Sequence, residues 1–140
     1  MTLQSLPELK AEVLRLADLI GASDAYYIPN FGGYRHGGDD EYCVELSEDD
    51  YHYFYIERGQ KRTEVRTRDL DELYYHIFQP LTHALASQYS QQHRVPNQDF
   101  RRLLFQKQEQ LIAVLSPHWA DRTAKEHDKI LQSHPYNDMQ

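Results

Sequence analysis

The sequence predicts an α+β fold, because its apolar residues change from helical to alternating spacing and back again along the chain. We expect an N-terminal helix, a small antiparallel β-meander of three or four strands, and then three helices packed on one face of the sheet. At 140 residues the chain is long enough to bury one sizeable core. A single domain over residues 1–140 is therefore predicted.

Local signals mark both ends of the first helix. Ser5 is a suitable cap, Pro7 suits the first turn, and Glu8 completes a capping box. Gly21 supplies a stop, because glycine readily adopts the left-handed conformation that ends helices. These signals predict a helix from about Pro7 to Ile20.

Alternating residues predict the strands. Residues 25–28 form a short β-prone run, and residues 41–46, 51–58 and 61–68 each alternate in the manner of a half-buried strand. Gly59-Gln60 suits a tight hairpin turn between the last two strands.

The alternation also predicts two faces of the sheet. The face expected to meet the helices carries Tyr42, Val44, Leu46, Phe54, Ile56 and Val65. The opposite face is expected to display Glu41, Cys43, Glu45, Tyr51, Tyr53, Tyr55, Glu64, Arg66 and Arg68.

Helical spacing returns after Asp69 and continues to about His93. Pro80 lies inside this stretch, so we expect a kink or a break there. Asn97 is a suitable cap for the next helix, and Ser116-Pro117 is expected to end that helix and begin the last one.

The distribution of charge favours a protein partner. The net charge of −7 arises from 15 basic and 22 acidic side chains, a sign that disfavours nucleic-acid binding. Residues 23–57 hold nine acidic residues and one arginine, whereas residues 58–68 hold five basic residues and one glutamate. The acidic stretch fits a basic partner protein.

Tyrosine is frequent, at 11 residues, and can supply aromatic anchors in an interface. An acidic, tyrosine-bearing patch is therefore expected to steer a basic protein into contact and hold it. The predicted partner-binding residues are Asp39, Asp40, Glu41, Glu45, Asp49, Asp50, Tyr51, Tyr53 and Tyr55. The alternative is that these acidic residues belong to a solvated loop and a solvated hairpin turn.

No motif in the sequence indicates catalysis. The eight histidines are scattered, and the pair His76 and His83 lies about 10 Å apart on one helix, too far to share a metal ion. Cys43 is the single cysteine, and neither a P-loop nor a GxSxG motif occurs. We expect no catalytic residue, no metal site and no cofactor.

The N-terminus lacks a basic segment followed by an apolar core, and no run approaches the roughly 18 apolar residues that span a bilayer. We therefore expect a cytoplasmic protein without membrane contact.

Arg101 and Arg102 stand in the first turn of a predicted helix, where cations oppose the helix dipole. We expect Asp99 or an acidic residue of another element to pair with them. The alternative is a contact with a partner.

The C-terminal half resembles a bacterial polymorphic-toxin immunity family, immunity protein family sixty-three. The resemblance covers roughly residues 70–138. The residues that carry it are Asn97-Gln98-Asp99-Phe100-Arg101-Arg102, Phe105, Lys107-Gln108, Leu111, Ser116-Pro117, Trp119, Glu126 and His134-Pro135-Tyr136-Asn137-Asp138.

The resemblance implies an antitoxin that binds and neutralises a cognate toxin without chemistry of its own. It points to no catalytic residue, and it is weakest in the N-terminal half, where a recognition surface is expected. A second class remains open, namely an adaptor or a homodimeric interaction module whose acidic and basic strands complement each other. Oligomeric state is not predicted.

Overall fold

The computed structural model describes residues 2–24, 27–32 and 40–139. One helix is followed by a sheet and then by three helices, which confirms the predicted α+β class and the order of its elements. The elements are α1 (Leu6–Leu19), β1 (Asn30–Phe31), β2 (Glu41–Leu46), β3 (Tyr51–Glu57), β4 (Gln60–Thr67), α2 (Leu70–Gln92), α3 (Arg101–Leu115) and α4 (Pro117–Ser133).

The chain divides into two compact units, residues 1–79 and residues 80–140. The first unit contains α1, the sheet and the beginning of α2, and the second contains the remainder of α2 with α3 and α4. A single domain over the whole chain stays a prediction.

The sheet is mixed rather than purely antiparallel. Its strand order is β1-β2-β3-β4, in which β1 runs parallel to β2 and the other two pairings are antiparallel. The hairpin turn lies one residue earlier than predicted, at Arg58 and Gly59, whose φ angles are 51° and 79°. Two successive positive φ angles match the twist of the flanking strands, and glycine tolerates such an angle without a steric cost.

The register shows that the predicted faces were wrong for β3, whereas β2 and Val65 share a face as predicted. Leu46 pairs with Tyr51 across the turn, so even-numbered residues of β2 face odd-numbered residues of β3. Paired residues share a side of the sheet. One face, called here the tyrosine face, carries Tyr42, Val44, Leu46, Tyr51, Tyr53, Tyr55 and Val65. The other face carries Glu41, Cys43, Glu45, His52, Phe54, Ile56, Lys61 and Arg66.

Strand β3 is buried on both of its sides. Tyr51 and Tyr53 are each 2% exposed on the tyrosine face, and His52 and Phe54 are each 1% exposed on the other. The hydroxyl of Tyr51 accepts a hydrogen bond from the backbone N–H of Gln4 at 2.8 Å. The tyrosine face therefore meets the segment that leads into α1.

The tyrosine face also meets α2. Burial raises the pKa of Tyr74 in α2 to about 12, with smaller contributions from Glu12 of α1 and from Tyr51. The buried residues of α1 are Leu9, Val13, Leu16 and Ala17. Tyrosine rings thus occupy positions for which the sequence pattern predicted aliphatic side chains.

The ends of α1 match the prediction, whereas the segment that follows α1 does not. The capping box at Ser5 and Glu8 is confirmed, and Gly21, with a φ of 70°, follows the end of α1 as expected. The predicted strand over residues 25–28 is wrong for its described part, because the N–H of Tyr27 turns back to the carbonyl of Asp24 at 3.0 Å. Ala25 and Tyr26 lie outside the described residues.

Helix α2 continues through Pro80, so the chain does not break there, and the expected kink stays a prediction. A proline in a helix interior costs about 3 kcal/mol, because it lacks an N–H and crowds the preceding turn. Buried residues on either side, Phe78 at 0% and Leu81 at 4% exposure, supply the opposing packing energy.

The start of α3 differs from the prediction. Asn97 does not cap it, because Asn97 has a φ of 64° and the helix begins only at Arg101. A residue whose side chain caps a helix typically has an extended backbone, and Phe100, at the cap position, makes no side-chain cap hydrogen bond. At the next boundary Ser116 does cap α4, since its hydroxyl accepts the N–H of Trp119 at 3.2 Å.

Acidic residues compensate both arginines at the start of α3, as expected, and Asp99 pairs with the first of them. It is 1% exposed, and its Oδ2 lies 2.8 Å from Nη2 of Arg101. The same carboxylate accepts the backbone N–H groups of Arg101 and Asn137 at 3.0 and 2.9 Å. Arg102 pairs with Asp138 at 2.8 Å. These contacts tie the C-terminal segment to the start of α3.

The substitution Asp99→Asn is expected to lower the free energy of unfolding of the second unit by about 2–4 kcal/mol, because it leaves a mostly buried guanidinium without its counter-charge. Urea unfolding followed by fluorescence of Trp119, the single tryptophan, measures this. Asp138→Asn is the control, with an expected loss below about 1 kcal/mol for an exposed pair. Equal losses of unfolding free energy in the two variants would contradict the view that the buried Asp99–Arg101 pair contributes more than the exposed pair.

The difference in unfolding free energy between wild type and Asp99→Asn is expected to depend on pH. Hydrogen bonding to Arg101 holds the pKa of Asp99 well below its usual range. A carboxyl whose pKa is lowered by folding stabilises the protein fully above its unfolded pKa of about 3.9, and this contribution is lost as the pH falls further. The difference between wild type and Asp99→Asn should therefore narrow below about pH 4.

Candidate partner-binding surface

Acidic charge is concentrated in the first unit. Residues 1–79 contain 16 acidic and 8 basic side chains, for a formal charge of −8, whereas residues 80–140 contain 6 acidic and 7 basic ones, for a charge of +1. The net charge of the chain thus comes from the unit that holds the sheet. This unit is the one suited to attract a basic partner.

The structure separates the nine predicted contact residues. Asp40, Glu41 and Tyr55 lie at one end of the β2–β3 pair, and Asp49 and Asp50 lie at the opposite end, in the turn. The six residues of β2 span about 20 Å between these ends. The predicted residues therefore do not form one continuous patch. Asp39 lies outside the described residues.

Two of the predicted aromatic contacts need correction. Tyr51 and Tyr53 are each 2% exposed and belong to the core beneath the tyrosine face. Their rings are almost completely covered in this structure, so neither stands out from the surface as an exposed anchor. The sequence placed them outside, because alternation within a strand does not reveal how that strand is phased against its neighbour.

At least three of the predicted acidic residues, Asp40, Asp50 and Glu45, have structural partners. Asp40 Oδ1 accepts the backbone N–H of Arg58 at 3.1 Å, which fastens the start of β2 to the β3–β4 turn. Asp50 accepts a hydrogen bond from the hydroxyl of Ser47, and its Oδ1 lies 3.5 Å from Nη1 of Arg66. Part of the acidic charge is thus used within the sheet.

The sequence analysis did not identify His52, whose imidazole lies between two carboxylates of neighbouring strands. Its Nδ1 lies 3.1 Å from Oε1 of Glu45, and its Nε2 lies 2.9 Å from Oε2 of Glu64. Lys61 Nζ lies 3.8 Å from the same oxygen of Glu45 and 4.6 Å from the centre of the Phe54 ring. The imidazole therefore links β2, β3 and β4, with a lysine beside it.

This arrangement does not resemble a metal site. The two carboxylates contact opposite nitrogens of the imidazole, so they do not converge with it on one point. Across residues 2–24, 27–32 and 40–139 no group of three or more potential ligands is placed to hold a metal ion. Nothing in the sequence indicated a role for His52 beyond its position in a strand.

Glu48 and Asp49 differ from the paired carboxylates Asp40, Glu45 and Asp50. Both are exposed in the turn between β2 and β3, and neither makes an ion pair or a side-chain hydrogen bond with another described residue. Leu46, just before them, is 38% exposed. The turn therefore combines two exposed carboxylates with an exposed apolar side chain. Glu48 was not among the predicted residues.

Tyr55 is half-buried and lies in a small aromatic group at the other end of the tyrosine face. Its ring centre is 4.5 Å from that of Tyr42, which is 37% exposed and also stacks on Tyr53 at 5.8 Å. Desolvation, followed by the charge of Asp40, raises the pKa of Tyr55. Tyr42, which the sequence analysis placed towards the helices, is the more exposed ring of this group.

Cys43 is fully buried between its strand neighbours and lies in a cluster with Phe54 and Ile56. Burial, with the nearby charges of Glu41 and Glu45, raises the pKa of its thiol to about 12. A nucleophilic cysteine needs the opposite, a lowered pKa and access to substrate. Cys43 is thus suited to packing.

Cys43 in the folded protein is expected to react with a disulfide reagent at pH 8 at least about 100-fold more slowly than in the urea-unfolded chain, because the thiolate is scarce and shielded. Release of the chromophore from Ellman's reagent measures both rates. Labelling of the folded protein at the unfolded rate would show that the thiol is accessible and would reopen the question of a nucleophile.

Comparisons with known proteins give one informative match. The family model of immunity protein 63 matches residues 48–129, more than half of the chain. The fold defines an α+β protein with an acidic sheet unit, and the match defines its class as that of an immunity protein. The chain belongs to the immunity protein 63 family.

No curated protein and no solved structure matches the chain. In the described part of the chain, no helix combines the length and the apolar character needed to cross a membrane. The family match begins at Glu48, earlier than the resemblance predicted from the sequence. It therefore includes the β2–β3 turn with β3 and β4, whereas β2 and the closing residues 134–138 lie outside it.

Proposed function

We propose that this protein neutralises a cognate bacterial polymorphic toxin by binding it and covering its active site or its substrate surface. The family match over residues 48–129 is the observation that carries the proposal. The toxin is a protein, the complex contains no nucleic acid, and the protein acts in the cytoplasm of the cell that it protects.

Inhibition by occlusion requires no reaction on the part of the antitoxin. The groups described above are suited to structure or to binding: the Cys43 thiol is buried, and the His52 imidazole is held between two carboxylates. Neither has the exposure that a nucleophile or a general base needs in order to meet a substrate. Contact with the toxin is therefore the whole mechanism in this proposal.

The charge of the first unit supports a basic toxin, such as a nuclease with a cationic substrate groove. A unit of charge −8 accelerates the approach of a basic protein, and unpaired carboxylates then take the positions that phosphates occupy in a substrate. Glu48 and Asp49 are the described carboxylates of the β2–β3 turn best placed for this role. Asp40, Glu41, Glu45, Asp50 and Tyr55 stay proposed contacts, some of which also hold the sheet together.

Co-expression with the toxin domain encoded beside this chain tests the proposal. Wild type is expected to restore growth, and the double substitution E48Q/D49N is expected to weaken the complex about 10-fold, mainly through slower association. Growth is scored while expression of the antitoxin is titrated, and association is measured by biolayer interferometry against an inactive toxin domain. Asp40 and Asp50 stay unchanged, because their contacts hold the sheet.

The matched control is E126Q/D128N, which removes two exposed carboxylates of α4 from the second unit. It changes the net charge equally and is expected to protect as well as wild type. Equal losses in both variants would mean that total charge matters rather than the turn. Failure of wild type to protect, together with a mass that doubles with concentration, would favour the homodimeric module.

A further inference from the structure

A cleft of about 450 Å³ opens at the turn end of the sheet. Its lining consists of Thr2, Gln4, Tyr51, Arg68, Asp69 and Leu70, all in the first unit. Tyr51 forms the floor, because its ring is 2% exposed and its hydroxyl accepts the N–H of Gln4. A cleft of this size has room for a large side chain of a partner.

The cleft lies at the same end of the sheet as the unpaired carboxylates. Tyr51 is the first residue of β3, directly after the turn, and it pairs with Leu46 on one side and with Thr67 on the other. Glu48 and Asp49 belong to the turn that joins Leu46 to Tyr51. A partner that contacts the turn therefore also reaches the cleft.

The walls of the cleft carry one charge of each sign. The guanidinium of Arg68 makes no ion pair or hydrogen bond with another residue in the described ranges, and Arg68 is exposed. The carboxylate of Asp69 accepts the N–H of Asp71 at 2.9 Å and thereby caps the beginning of α2. An ion of either sign meets one attracting and one opposing charge there, so the pair gives no net preference for a charged occupant.

A neutral aromatic ring satisfies both walls. The face of an aromatic ring is negative and attracts a guanidinium, while its edge is positive and tolerates a carboxylate. Tyr51 and Leu70 offer an apolar floor and side for the same ring. Aromatic anchors in pockets also carry much of the binding energy in protein interfaces.

We propose that the cleft receives an aromatic anchor side chain of the toxin, with Arg68 over the ring and with basic toxin residues beside it facing Glu48 and Asp49. This inference rests on the proposed antitoxin function for the identity of the partner. The preference of the cleft for a ring does not depend on that function.

The first experiment uses indole as a probe and needs no toxin. Amide NMR shifts of the full chain are expected to saturate at residues 4, 51 and 68–70, with a Kd of about 1–10 mM. The variant Arg68→Gln is expected to weaken indole binding about 2–5-fold. Cyclohexanol is the aliphatic comparison, and equal binding of cyclohexanol, or indole shifts spread over the whole surface, overturns the proposal.

The second experiment measures the affinity of an inactive toxin domain for three variants. Arg68→Gln is expected to raise the Kd about 5-fold, and Arg68→Lys, which keeps the cation, should stay within about 2-fold of wild type. Arg62→Gln is the control. Arg62 lies near the start of β4, whereas Arg68 directly follows its end, so the control removes a cation far from the cleft. Loss of a cation alone strengthens attraction to a basic toxin, so weakening confined to Arg68→Gln identifies a direct contact.

The outcomes separate this inference from the proposed function. If the toxin binds wild type and E48Q/D49N weakens it while Arg68→Gln does not, the cleft proposal is overturned and the antitoxin function stands. If the toxin does not bind wild type, the proposed function fails and the toxin side chain is no longer the occupant. If the amide NMR shifts of the residues that line the cleft change when the protein alone is diluted, the occupant is a second copy of the chain. That result also overturns the proposal.

Discussion

The four-residue connection between Leu46 and Tyr51 fixes the phase of β2 against β3, and the organisation of the first unit depends on it. Because this connection aligns even-numbered residues with odd-numbered ones, tyrosines meet the helices and His52 comes to lie between Glu45 and Glu64. A connection one residue shorter or longer would exchange the two sides of β3. The same connection also carries Glu48 and Asp49, which pair with no other residue in the described part of the chain.

The elements with strong local signals were predictable from the sequence. The capping box of α1, the cap of α4 at Ser116 and the bounds of β2 each depend on residues within a few positions of one another. The pairing of Arg101 with Asp99 was predictable for the same reason, since the dipole of α3 requires a nearby acidic group.

The faces of the sheet were not predictable from the sequence. Strand β3 is buried on both sides, so its alternation does not show which side meets the helices. Phe54 and Ile56 suggested one buried face, although Tyr51 and Tyr53 are equally buried on the other. The same error placed Tyr51 and Tyr53 among the predicted contact residues. The acidic composition of the candidate site was visible in the sequence, but which carboxylates are occupied depends on contacts between strands, and those follow from the register.

The separation of occupied from unoccupied carboxylates has an evolutionary consequence. Asp50, fastened to Ser47, and Glu45, fastened to His52, are constrained by the sheet that they help to build. Glu48 and Asp49 carry no such duty, so substitutions there are cheap for folding. Under the proposed function, partner preference is therefore able to change at these two positions while the sheet keeps its contacts.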